Sequence, residues 1–277
     1  MNDKNNEPHT TRTPATGASI EDGAAPPHPV ISQYYGSSEK RQEWVDHMFD
    51  ASAAHYDWIT DVMSFGSGRW YRNWALRRHG LDTGMKLLDV GTGTGVLAQL
   101  GQEQVGPEGE VVAVDPSEGM LDQARAAGVK DTRSGHGEDL PVDSDHFDLL
   151  TMGYALRHVA DLNATFREYR RALAPGGRVL LLEITPPRSR IGYVLLRFYL
   201  RTVVPLVTRV FRRSRDAQVL MYYYWDTIEK CVPPETILDA LRTSGFEQGH
   251  RHVIFGIFSE YSGVKPAADD AGAESRG

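Results

Sequence analysis

The sequence predicts an α/β fold: a mostly parallel sheet with helices on both faces, an antiparallel terminal strand and added helical lid segments. Three observations predict it. Short apolar runs at 86–90, 110–114, 148–152 and 178–184 alternate with helical patterns at 95–104, 118–127 and 162–173. The first run ends in the glycine-rich turn Asp89-Val90-Gly91-Thr92-Gly93-Thr94-Gly95. The second ends in Asp115, about 20 residues beyond the turn, where a carboxylate can accept both hydroxyls of a ribose.

Spacing narrows the ligand. A dinucleotide fingerprint read from Gly91 needs glycine at position 96, and Val96 stands there. Gly91, Gly93 and Gly95 read instead as the G-x-G-x-G turn of S-adenosylmethionine enzymes, whose cofactor has no pyrophosphate to cradle. The glycines alone fit a plain strand-to-helix turn equally well. Asp115 and the strands that follow shift the balance to a cofactor site.

Taken in order, residues 1–33 read as a disordered tail, rich in Pro, Ala, Gly, Thr and Asn and nearly free of large apolar side chains. They lack the apolar core of a secretion signal, and Asp3, Glu7, Glu21 and Asp22 count against an acid-poor mitochondrial leader. Residues 34–264 form the folded domain, opening with a helical cap (34–84) that carries Phe49, Tyr56, Trp58, Met63, Phe65, Trp70 and Trp74. The alternating strands and helices follow, and Pro175-Gly176-Gly177 is expected to stop the helix at 162–173 and turn into the next strand. A basic amphipathic insertion (186–231) comes next. Arg188, Arg190, Arg197, Arg201, Arg209, Arg212, Arg213 and Arg215 carry it, with no acid before Asp216. Arg190, Arg197 and Arg201 share one helical face, and Val194, Leu195, Phe198 and Tyr199 crowd another. Such a helix suits a surface of anionic lipid, or equally a lid whose apolar side covers the core. A helix at 234–244 leads through Gly245-Phe246 into strands near 247–252 and 253–261, close enough to pair antiparallel. Residues 265–277 read as a second disordered tail.

The net charge of -7 and pI near 5.8 argue against a nucleic-acid binder. The single cysteine, Cys231, excludes an intramolecular disulfide and fits a reducing compartment, and no spacing suggests a metal site. No apolar run reaches the length that crosses a bilayer.

Phe49-Asp50-Ala51, Tyr56-Asp57 and Asp61-Val62-Met63-Ser64-Phe65-Gly66 resemble the N-terminal signature of the ubiquinone/menaquinone biosynthesis C-methyltransferases. Ala155-Leu156-Arg157-His158-Val159-Ala160-Asp161 resembles that family's L-R-N-V-x-D segment, and Leu173-Ala174-Pro175-Gly176-Gly177-Arg178 its strand-entry turn. Asp216, Tyr224, Thr227-Ile228, 233–241 and Gly245-Phe246 follow its C-terminal pattern. The resemblance implies a Rossmann-like class I methyltransferase that uses S-adenosyl-L-methionine. By position it puts Thr94 at the methionine end of the cofactor, Asp115 on its ribose, His136-Gly137 beside the adenine and Gly153 where the family has a serine. Gly91, Gly93 and Asp89 complete the turn, Asp89 reaching the cofactor amine through water. The chain departs from the family where Thr92 splits two adjacent glycines, Val96 replaces an acid and His158 replaces Asn.

The implied activity is methyl transfer to a ring carbon of a phenolic or prenylated quinol. The alternatives are a paralogue that methylates oxygen or nitrogen of another phenolic or lipid acceptor, and a non-catalytic cofactor-binding scaffold. Arg157 holds the place of the arginine proposed as the family's base. Because guanidinium stays protonated, it is expected to orient water and stabilise a phenolate instead. Tyr56 ranks second, as a hydrogen-bond partner of the acceptor oxygen. His158 is expected to be structural and to point away from Arg157. Tyr222, Tyr223, Tyr224 and Trp225 offer walls for a prenyl tunnel, though consecutive residues cannot all face it. A cytoplasmic protein is expected, with peripheral contact at the inner membrane face through 188–215. A homodimer is left open.

Overall fold

The computed structural model describes residues 25–37, 40–64, 66–211 and 215–267. Two helices open it, α1 (Arg41–Ser64) and α2 (Gly68–Arg78). Strand and helix then alternate through β1 (Lys86–Val90), α3 (Val96–Val105), β2 (Glu110–Asp115), α4 (Glu118–Ala126), β3 (Asp131–Ser134), β4 (Phe147–Gly153), α5 (Leu162–Ala172) and β5 (Leu173–Ile184). The insertion forms α6 (Arg190–Phe198), a wider π turn (Tyr199–Val203), α7 (Val204–Phe211) and α8 (Arg215–Lys230). It is followed by α9 (Pro234–Thr243), β6 (Glu247–Ile254) and β7 (Phe258–Val264).

The strands make one seven-stranded sheet in the order β3-β2-β1-β4-β5-β7-β6. β1 pairs parallel with β2 on one side and β4 on the other, so strand order reverses between β1 and β4. At such a reversal the helices leave opposite faces and open a crevice at the strands' carboxyl ends. β7 runs antiparallel to both β5 and β6. Side-chain alternation along β1 sends Leu88 and Val90 into one buried layer, with Phe166 and Tyr169 of α5. It sends Leu87 into the other, with Leu76 of α2 and Leu100 of α3. A third apolar cluster lies over the crevice end and joins Val45 and Met48 of α1 to Leu200, Val204, Tyr223 and Trp225 of the insertion.

Several expectations are corrected. Residues 25–33 are packed rather than disordered. Ala25 N–H donates to Asp161 Oδ1 (3.1 Å), Val232 N–H donates to Pro27 O (2.8 Å), and Ile31 is buried in the third cluster. The backbone of this strap is held by hydrogen bonds, which its composition does not reveal. Residues 1–24 and 268–277 lie outside the described residues, and Lys265 packs against the sheet with its N–H on Gly177 O (2.8 Å). β3 was not expected. Its sequence Asp-Thr-Arg-Ser has no apolar alternation, and it pairs with β2 at the sheet edge.

The proline–glycine turn also behaves differently. α5 ends at Ala172, and Leu173 already pairs with Phe147, while Arg178 pairs with Leu149. The residues between them loop out as a bulge, with Gly176 at φ +82°. In the insertion, Tyr193, Leu196, Tyr199 and Leu200 turn inward as a lid would. Its other face is apolar too and open: Ile191 is 74% exposed, Leu195 62% and Phe198 58%. Arg190–Val210, 21 residues with mean hydropathy 1.4, is long and apolar enough to cross a bilayer by length and composition alone. The run-length reading missed this because Arg197 and Arg201 interrupt it.

A methyl group at Gly177 would sit 2.8 Å from Ala174 O and 2.9 Å from Phe147 O, both backbone atoms in a fixed bulge. Gly177→Ala is expected to lower the unfolding free energy by about 2 kcal/mol in urea titration. Gly176→Ala meets no neighbour within 4 Å and bears only the strain of its positive φ, so it should cost about 1 kcal/mol. Equal losses at both positions would refute the steric account.

Candidate active site

Two buried carboxylates fix the loop between β1 and α3. Asp89, near the end of β1, accepts hydrogen bonds from Thr92 Oγ1 (2.6 Å) and Thr151 Oγ1 (2.7 Å). Asp115, at the end of β2, accepts from Gly93 N–H (2.8 Å) and Ser117 N–H (2.9 Å). The loop is thus tied to its own strand by hydroxyls and to the next strand through its backbone. Gly91 is required here: its φ is +62°, and a Cβ would come 2.7 Å from Ala155 Cβ. Burial pushes both carboxyls up to about 6, and their hydrogen bonds hold them from rising further.

Ser117 caps α4, its hydroxyl accepting from Met120 N–H (3.1 Å). Asp50 of α1 accepts from Gly119 N–H (3.1 Å) and from the Ser117 hydroxyl. A carboxylate from the cap therefore sits on the N-terminus of α4, where the helix dipole favours it. That contact docks α1 over the crevice.

Three spaces open around the loop. A trough of ≈ 710 Å³ runs past Val90, Asp115, Met120, His136 and Gly137 to Gly153. A niche of ≈ 390 Å³ lies at the loop itself, between Asp89, Thr94, Gly153 and Arg72. A larger cavity of ≈ 1010 Å³ is walled by Tyr71, Tyr154, Tyr199, Tyr224, Ile184 and Phe258. Tyr56 of α1 lines all three.

The residues singled out from the sequence converge here. Asp115, Gly91, Gly93, His136, Gly137 and Gly153 line the trough, and Asp89 and Thr94 line the niche. At Gly153 a Cβ would meet Leu97 Cδ1 at 2.7 Å, so Leu97 fills the room a serine would need. Tyr56 stands at the junction, its hydroxyl 2.5 Å from that of Tyr224. Burial, then the neighbouring Tyr224, holds the Tyr56 phenol well above its usual range, so it stays a donor.

Arg157 is placed differently. It is 0% exposed and lines none of the three spaces. Its Nε lies 3.0 Å from Glu183 Oε2, and its Cζ lies over the Tyr224 ring, 5.3 Å from the centroid. It therefore stands behind the cavity wall, against the Tyr224 ring and with Nη2 donating to Tyr154 O (3.0 Å). His158 shares a 3-10 turn with it (Leu156–His158) rather than an extended segment. The two side chains still part. The His158 ring stacks on Tyr223 (5.4 Å) and meets Phe49 edge-on (5.1 Å) at the trough wall, and burial keeps it neutral, well below its usual range. Of the four consecutive aromatics, Tyr224 lines the cavity, Tyr223 and Trp225 are core, and Tyr222 is 45% exposed.

Sequence reasoning missed Arg72 and Tyr154. Arg72 is one of several arginines in α2, and only the docking of α2 beside the loop distinguishes it. Tyr154 follows β4 with φ +62°, a strained conformation for a tyrosine that no local pattern announces.

The profile of the ubiE/COQ5 methyltransferase family matches residues 36–265. The demethylmenaquinone methyltransferase of Symbiobacterium thermophilum is 35% identical over 240 residues, 83% of this chain and 95% of that protein. The ubiquinone/menaquinone biosynthesis C-methyltransferase UbiE of Shewanella baltica is 32% identical over 236 residues, 82% of this chain and 93% of that protein. Among solved structures, phosphoethanolamine N-methyltransferase 2 of Haemonchus contortus in complex with S-adenosyl-L-methionine superposes with a TM-score of 0.59 and 18% identity, over 81% of this chain and 60% of that one. A putative S-adenosyl-L-methionine-dependent methyltransferase of Methanococcus maripaludis gives 0.57 and 15%, over 79% and 94%. The fold is that of the class I methyltransferases.

The sign of the pH effect at Asp89 follows from its raised carboxyl. The folded value, about 6, exceeds the unfolded 3.8, so the ionised group weakens the fold at pH 8 and the penalty fades as pH falls through 6. Thr151→Val removes a donor from the ionised form. It should cost about 2 kcal/mol in urea titration at pH 8 and clearly less at pH 5. An equal loss at both pH values would show that the hydroxyl does not serve an ionised Asp89.

Proposed function

Because the chain belongs to the ubiE/COQ5 methyltransferase family, we propose that it transfers a methyl group from S-adenosyl-L-methionine to a ring carbon of a polyprenylated benzoquinol or naphthoquinol. The observation that carries this reading is the meeting of trough, niche and tyrosine-walled cavity at Tyr56. The residues present fit the cofactor. Asp115 offers the trough a carboxylate whose remaining lone pairs suit ribose hydroxyls, Met120 and Val90 give apolar walls for a base, and His136-Gly137 closes the far end. Thr94 and Asp89 would hold the amino-acid end in the niche. The bound cofactor supplies an electrophilic methyl on sulfur.

The rest falls to this chain's side chains. The apolar, aromatic cavity takes an electron-rich ring and its tail and excludes water. Tyr56, kept protonated, donates to the oxygen of an acceptor that has given its hydroxyl proton to solvent. It holds this phenolate, whose charge delocalises onto the reacting ring carbon, and the proton on that carbon passes to solvent as the ring regains aromaticity. Tyr224 fixes Tyr56, and Arg157, neutralised by Glu183, fixes Tyr224. Arg157 is thus a positioning residue in this reading, not a proton acceptor.

The open face of α6 and α7 supports peripheral docking at the inner face of the cytoplasmic membrane. Ile191, Val194, Leu195 and Phe198 are exposed beside Arg190, Arg197 and Arg201, while Leu196, Tyr199 and Leu200 of the same stretch line the acceptor cavity. A lipid acceptor would pass from bilayer to cavity along one element. Arg212 and Arg213, and the side chain of Arg215, lie outside the described residues.

Mass spectrometry of quinones from cells lacking this gene should show a pool lighter by one methyl group. The wild-type gene should restore it, and Tyr56→Phe only partly. An unchanged pool would redirect the search to other phenolic acceptors. In liposome flotation, binding should rise with anionic lipid, weaken with salt and fall when Leu195 and Phe198 are replaced by Ser. Salt-independent binding to neutral vesicles would remove the arginines from the account.

A further inference from the structure

Arg72 of α2 is the only cation lining the niche among the described residues, and it faces the acceptor cavity as well. Its guanidinium rests over the Tyr154 ring, with Cζ 4.9 Å from the centroid. No described carboxylate pairs with it, and no described group accepts its hydrogen bonds. The opposite charge in the niche is Asp89, whose carboxyl feels Arg72 through space. One acid and one cation thus border a small space at the N-terminus of α3.

We propose that Arg72 receives the α-carboxylate of the cofactor's amino-acid end, with Asp89 facing the α-ammonium, so that the niche selects a zwitterion. This rests on the cofactor reading above. Three arguments favour the carboxylate over the acceptor as Arg72's partner. A half-buried guanidinium needs a permanent counter-charge, which a carboxylate carries and a resting phenol does not. The reacting methyl sits on a cationic sulfur, and a bare guanidinium at the acceptor side would oppose it, whereas one joined to a carboxylate is neutralised. The planar fork of arginine also matches both oxygens of a carboxylate.

Calorimetric titration of the purified full chain tests this with three probes. S-adenosylmethionine has both charges, S-adenosylhomocysteine keeps the carboxylate without the sulfonium, and decarboxylated S-adenosylmethionine keeps the sulfonium without the carboxylate. The wild type should prefer both carboxylate-bearing probes. Arg72→Met should weaken those two by about tenfold or more and change the decarboxylated probe by less than about threefold. Arg72→Lys, which retains a cation, should recover part of the loss. Equal weakening of all three probes would overturn the assignment. So would unchanged affinities with a raised KM for the acceptor, which would give Arg72 to the ring instead. A wild type that binds none of the probes would overturn the cofactor reading itself.

Discussion

The working end of the molecule depends on two carboxylates kept out of water at the tips of adjacent parallel strands. Asp89 and Asp115 are each nearly fully buried, and each is supported by two hydrogen bonds. Pairing of Val90 with Val114 sets the strands in register, so the two acids flank one loop from two sides. Without those bonds a seven-residue stretch holding three glycines would have no single conformation. With them, the loop's backbone becomes a rigid lip shared by the trough and the niche. The carboxyls raised by burial are the cost of that rigidity: the fold carries ionised groups it would be more stable without, as binding sites often do.

Around this lip the sheet supplies position and the cap supplies enclosure. Asp50 fastens α1 to the start of α4, which brings Tyr56 to the point where the three spaces meet. From there a line of support runs outward through Tyr224 and Arg157 to Glu183 on β5. Tyr224, Arg157 and Glu183 are all buried, and the last is anchored in an interior strand of the sheet. In the proposed reaction the acceptor would therefore meet groups held by four different elements, none of which forms the site alone.

Much of this was legible in the sequence. The apolar runs of β1, β2, β4 and β5, the glycine turn and Asp115 were found from local pattern, because parallel strands buried on both faces leave a strong signal. All eight residues expected to hold the cofactor border the trough or the niche. What was not legible depends on tertiary docking. β3 is a polar edge strand recruited by its neighbour, and the strap at 25–33 is ordered by partners far away in sequence. Arg157 looked like a pocket residue because its motif is, yet Glu183 draws it behind the wall. Arg72 has no motif. Its position follows only from how α2 lies against α3, a packing contact that sequence periodicity does not encode.

The strap has a consequence for how the protein is made. Ala25 is bonded to Asp161, 136 residues away, and Gln33 and Tyr34 to Asp226, 193 and 192 residues away. These residues are synthesised long before Asp161 and Asp226 exist to receive them. The glycine loop and its two acids involve only residues 89–151, so they can be complete while the strap is still waiting. A segment made early is thus among the last to complete its contacts.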